Sequence, residues 1–133
     1  MTMKKIIIMF FATALLATLA GTQASAQVKP TAPVLRHVVL FKFKDDAAPA
    51  DVKKVEDAFR ALAAKIKLIK DFEWGKNSSP EGLNQGLTHV FLVTFSSDKD
   101  RDAYLVHPDH QAFVEVLKPY LDKVTVLDYW SGK

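Results

Sequence analysis

The chain has 133 residues, no cysteine, and a formal charge of +3. It is long enough for one self-sufficient core and too short for two. The absence of cysteine excludes a disulfide framework, a lipid-modified cysteine and a thiol nucleophile. Lys4 and Lys5 precede any acidic residue. Without them 16 basic residues face 15 acidic ones, so the basic balance argues for neither a nucleic acid nor a membrane partner.

Residues 1–26 read as an export signal. Lys4 and Lys5 form a positive start, Ile6 to Ala20 is apolar, and Ala24-Ser25-Ala26 supplies a small-x-small cleavage site. The apolar run would span about 22 Å as a helix, less than the ~30 Å hydrocarbon core. A cleaved, exported protein, periplasmic or secreted, is therefore expected rather than a retained anchor. Residues 27–34 contain Pro30 and Pro33 and read as an extended leader. The domain is expected over 35–133.

Leu35 to Lys44 (LRHVVLFKFK) is rich in branched and aromatic residues, which predicts a strand. Pro49 suits a helix start. Val52, Val55, Phe59, Leu62 and Ile66 then recur at steps of three and four, one apolar helical face. Asp71 to Lys76 predicts a second strand, 77–86 a loop, and Leu87 to Phe95 a third strand. Ser97 with Asp100 forms a capping-box-like start for a helix running to about His107. Pro108 breaks that helix. A second segment follows with Phe113, Val116, Leu117, Tyr120 and Leu121 on its apolar face. Val124 to Trp130 predicts the last strand.

The order βαββαβ is the ferredoxin-like pattern: a four-stranded antiparallel sheet with helices on one face and the first and third strands central. Both central strands carry apolar residues on both faces. His37, Val39, Phe41 and Phe43 alternate with Val38 and Leu40, and His89, Phe91, Val93 and Phe95 alternate with Val90 and Leu92. Helices cover only one face, so a second copy of the sheet is expected on the other, as a homodimer.

The candidate site follows from the same topology. His37 begins the first strand at the sheet end where the third strand finishes, so it lies near Tyr104. His89 lies at the opposite end and reads as structural. Pro108 sits in the stretch His107-Pro108-Asp109-His110, where a break can tip Tyr104 and His110 toward one cavity. The simpler alternative is that Pro108 only separates two helices and His107 caps the second. An imidazole base and a phenolic donor together suit proton abstraction beside a carbonyl. His110, Tyr104 and His37 are the candidate catalytic residues, with Val39, Phe59, Phe91, Val93 and Phe113 as the apolar ligand-binding wall. No cofactor is needed for that chemistry. A metal is not expected, because the proline spoils regular presentation of the two histidines and no Cys, Asp or Glu sits at a ligand spacing. Isolated Gly82 and Gly86 make no phosphate loop, and G-x-S-x-G is absent.

His-Val-Val-Leu-Phe-Lys-Phe-Lys at 37–44, Trp74-Gly75-Lys76, Thr88-His89, and Tyr104 through His110 carry a resemblance to the stress-responsive dimeric α+β barrel (Dabb) family. The resemblance implies the dimeric ferredoxin-like barrel. It also implies, through a plant polyketide cyclase of that family, a catalytic base at His110, its tyrosine partner at Tyr104 and a cavity histidine at His37. Phe59 stands where that cyclase has a second cavity tyrosine. Two functions fit: binding of, or cofactor-free cyclase-type chemistry on, a small carbonyl or aromatic compound; or a non-enzymatic dimeric stress module whose histidines are structural.

Overall fold

The computed structural model describes residues 32–132. The expected signal at 1–26 and most of the expected leader at 27–34 lie outside the described residues. The elements run β1 (Leu35–Phe43), α1 (Pro49–Lys65), β2 (Asp71–Lys76), β3 (His89–Phe95), α2 (Asp98–Leu105), α3 (Pro108–Leu117) and β4 (Leu121–Trp130). The sheet order is β2-β3-β1-β4, every pairing antiparallel, with β1 and β3 central as the βαββαβ order requires.

Several boundaries differ from the sequence expectation. α3 ends at Leu117, so Tyr120 and Leu121, expected on its apolar face, lie beyond it, Leu121 in β4. β3 begins at His89 rather than Leu87, because Asn84 closes the preceding loop on the Leu87 carbonyl at 2.9 Å. β4 begins at Leu121 rather than Val124. A register shift between Lys42 and Phe43 lets Leu121 pair with Phe43, and the Lys44 amide then reaches the Tyr120 carbonyl at 2.9 Å. α2 stops at Leu105, two residues earlier than expected, since His107 already has the extended backbone that the following proline favours.

The core lies between the sheet and the helices. β1 alternates strictly, with Leu35, His37, Val39, Phe41 and Phe43 buried and the residues between them half-buried. From α1, Phe59 stacks on Phe91 at 4.3 Å and on Phe41 at 6.0 Å between ring centroids, and it meets Phe113 of α3 at 4.5 Å. Trp74 stacks on Phe91 from the edge strand β2, on the helix side of the sheet.

The other face of the sheet presents Val38, Leu40, Val90 and Leu92 half-buried, and Leu127 and Tyr129 at 59% and 50% exposure. That is an apolar strip that runs from β3 across β1 onto the edge strand β4. No described helix is long and apolar enough to cross a membrane.

Candidate functional site

Pro108 organises the site. It donates no hydrogen bond, so α2 ends and α3 begins around it. His107 caps α3, its Nδ1 accepting the Asp109 amide at 3.2 Å, and Ser97 caps α2 by accepting the Asp100 amide at 3.1 Å. With the Asp109 amide diverted to His107, the Leu105 carbonyl is left outside any helical ladder. It receives Gln111 Nε2 at 2.7 Å and His110 Nδ1 at 3.0 Å. A carbonyl only accepts, so His110 Nδ1 carries the proton and Nε2 keeps its lone pair. His107 is the cap that the simpler reading of Pro108 expected, and the same break also brings Tyr104 and His110 together, which that reading did not.

Tyr104 projects from the last turn of α2 into the space above β1. Its ring lies 4.4 Å from His110, 6.0 Å from His37 and 5.0 Å from Phe95 between centroids. The side chain is fully buried, and its hydroxyl has no hydrogen-bond partner among the described residues. Burial pushes the phenol's pKa well above its ordinary value, so at neutral pH it is a donor awaiting an acceptor. Burial also lowers the pKa of His110, with the neighbouring His37 and His107 adding to the effect against the opposing Leu105 hydrogen bond. The ring is therefore neutral at pH 7 and offers Nε2 as a base.

A cavity of about 320 Å³ opens between α3, the end of α2 and the outer half of β1–β4. His37, Tyr104, His110 and Asp128 form its polar end. Val39, Phe59, Phe113, Val114, Leu117 and Val126 supply most of the apolar wall. Its size suits a small ligand, for which roughly 300 Å³ is the lower limit. Two expected wall residues are elsewhere. Phe91 and Val93 are completely buried and do not line the cavity, because Phe59 covers Phe91 and β3 lies toward the other edge of the sheet from the opening.

Asp128 was not singled out by the sequence. It faces His37 across the β1–β4 ladder, and its Oδ1 lies 2.6 Å from His37 Nδ1. The available signal was a lone carboxylate inside the otherwise apolar Val124–Trp130 run. His89 sits at the far end as expected. It is buried, with Nε2 2.9 Å from Glu56 Oε1 and Nδ1 2.8 Å from the Thr88 hydroxyl. Among the described residues, no three His, Asp or Glu side chains converge as a metal ion would require.

Fold and site together define an α+β, ferredoxin-like domain with an apolar cavity ending in two imidazoles and a phenol. Residues 35–131 match the model of the Stress responsive A/B Barrel Domain, and the chain belongs to that family, Dabb. It is 39% identical over 95 residues to the stress-response A/B barrel domain-containing protein HS1 of Arabidopsis thaliana, covering 71% of this chain and 87% of that one. It is 30% identical over 99 residues to olivetolic acid cyclase of Cannabis sativa, covering 74% of this chain and 98% of the cyclase. Among solved structures, a dimeric protein of ferredoxin-like fold from Bacteroides fragilis superposes with a TM-score of 0.60 at 29% identity, over 72% of this chain and 94% of that one.

Proposed function

We propose that this is an exported homodimer that takes a small carbonyl-bearing or aromatic compound into the cavity and transfers a proton on it without a cofactor. The Tyr104 hydroxyl carries the reading: a buried donor with no partner among the described residues, at the polar end of an apolar cavity. Leaving such a group unpaired costs about 1–3 kcal/mol, which a ligand oxygen within reach would recover.

The same oxygen would be the one that gains charge. His110 Nε2 takes a proton from the carbon beside the carbonyl, the C–H electron pair moves to make an enolate, and the Tyr104 hydroxyl donates to the enolate oxygen. In one branch the enolate carbon attacks a second carbonyl of the same molecule, forming the carbon–carbon bond of the ring while that carbonyl's π pair becomes an alkoxide that takes the proton back from His110; in the other, a conjugated enolate is reprotonated by His110 at the far carbon of its conjugated system, giving an isomer. Both outcomes return the proton and consume nothing. The relationship to olivetolic acid cyclase favours the ring-closing branch. Phe59 in place of a cavity tyrosine favours a less hydroxylated substrate.

The half-exposed strip of Val38, Leu40, Val90, Leu92 and Leu127, with dimeric relatives, supports pairing through the open face of the sheet. Export rests on the pattern of residues 1–26.

The test is a thermal-shift screen of phenolic and β-dicarbonyl compounds against the parent protein and His110→Ala. Stabilisation of the parent that disappears in the variant is expected. A broad screen without a hit, or hits that His110→Ala and Tyr104→Phe both retain, would overturn the reading.

A further inference from the structure

A second chain of polar contacts enters the cavity from the side opposite α3. His37 is 5% exposed, lines the cavity and lies edge-on to both Tyr104 and Phe95. Its Nδ1 is committed to Asp128 Oδ1 at 2.6 Å. The second oxygen of Asp128 accepts Nη1 of Arg101, which reaches across from α2 to β4. Arg101 is itself fixed. Its Nε donates to Asp102 at 2.7 Å and its Nη2 lies 3.5 Å from Asp98, and its side chain is only 19% exposed. As a set of ion pairs near the surface this network contributes little stability. As a device for orienting one ring it is complete: the carboxylate has one oxygen for the arginine and one for the histidine.

We infer that Asp128 and Arg101 are positioning residues that hold His37 in the Nδ1–H tautomer, so that its Nε2 serves as a second proton acceptor in the cavity, beside Tyr104 and apart from His110. The inference deepens the proton-transfer reading and rests on it for its purpose, though not for its geometry. A carboxylate can only accept, so His37 must donate from Nδ1, and in the neutral ring Nε2 then keeps its lone pair. The two imidazoles are set in the same tautomer by unrelated means. His110 is held by a backbone carbonyl that Pro108 releases, and His37 by a carboxylate that Arg101 pins. Both rings approach Tyr104, at 4.4 Å for His110 and 6.0 Å for His37 between centroids. A substrate oxygen bonded to the Tyr104 hydroxyl would thus have two bases near it. One could take the proton while the other accepts a hydrogen bond from a neighbouring hydroxyl or enol of the substrate. The complementary ligand carries one acceptor oxygen flanked by a donor.

Arg101 makes the inference testable without any ligand. It has donors only. In Asp128→Asn the amide must therefore turn its oxygen to Arg101, which points its NH2 at His37. The NH2 donates, so His37 Nδ1 becomes the acceptor and the proton moves to Nε2. Removing the arginine as well, in Arg101→Ala with Asp128→Asn, frees the amide to turn round and restores the Nδ1–H form.

The measurement is long-range 15N–1H correlation NMR of the histidine rings in 15N-labelled protein above pH 7. The parent should show His37 protonated at Nδ1, Asp128→Asn at Nε2, and the double variant at Nδ1 again. A parent ring protonated at Nε2 would overturn the inference, and so would an Asp128→Asn variant whose His37 tautomer is unchanged. A double variant that stays at Nε2 removes Arg101 from it. His89, held by Glu56 and Thr88 at the other end, reports in the same spectrum whether each variant is folded. Failure of the proposed reaction would appear in the ligand screen and leave these spectra intact, whereas a wrong tautomer would leave the Tyr104-dependent binding intact.

Discussion

Tyr104 and His110 belong to different helices, yet their rings lie 4.4 Å apart across the break at Pro108. In an unbroken helix, residues six apart point to different sides. Here the proline changes the path of the chain and frees the Leu105 carbonyl, to which His110 is tied. The break therefore contributes twice, by placing the base beside the phenol and by choosing which nitrogen of the base is free.

Tyr104→Phe should leave the fold as stable as the parent or more so, by about 1 kcal/mol, because it removes a buried hydroxyl that has no partner. Ligand-induced stabilisation should vanish in the same variant. Thermal melts of the two proteins, each with and without a compound found in the screen, decide it. A substantially destabilised variant would mean that the hydroxyl has an internal role.

Burial lowers the pKa of His110 below the ordinary 6.5, so the folded state prefers the neutral ring. The unfolded chain then binds the extra proton first as pH falls. The stability from this group is fully present above pH 6.5 and is lost as pH drops through the lower folded value. Base-dependent turnover or binding should stay level from pH 8 to 6.5 and fall below it. In His110→Gln the corresponding part of the pH–stability curve should be flat, read by chemical denaturation at several pH values.

Glu56 is buried against His89 and Lys76. Burial alone would raise its pKa, but hydrogen bonds from His89 and Lys76 outweigh it and hold the carboxyl below its ordinary 4.5. Its contribution to stability is present above pH 4.5 and disappears as pH falls through the folded value. Glu56→Ala strands His89 in the core and should cost about 3 kcal/mol, with a loss of acid sensitivity in that range. Urea unfolding at pH 7 and pH 4 measures both effects.

Leu127 lies on the open face at 59% exposure, opposite Val38 in the ladder. Leu127→Lys should give a folded monomer, since a charge buried between two sheets has no partner, whereas in the free chain it stays in water. Sedimentation of parent and variant at micromolar concentration would show it. A parent that sediments as a monomer would remove the case for pairing through this face.

Much of this was legible in the chain. The alternation of β1 and β3 and the three-four spacing of α1 are local periodicities, and they located the core strands and the buried helical face within a residue or two. His37, Tyr104 and His110 could be grouped because the βαββαβ order puts the start of β1 beside the end of β3. What failed was depth. Phe91 and Val93 share a strand face with His89 and look like wall residues, but Phe59 covers Phe91 and leaves no room for a ligand there.

By itself the sequence determined the elements, their order and the end of the sheet where the polar groups gather, because periodicity, capping and the proline break act over a few residues. Only the tertiary structure decided what each polar group is bonded to. Asp128 and His37 are 91 positions apart, and they meet through a strand register that no local pattern encodes. The Tyr104 hydroxyl is left without a partner among the described residues because α3 and the sheet pack against its ring while a cavity remains open at its side. Pairing and solitude of this kind depend on every neighbour at once, which is why the chemistry of the site emerged only with the packing.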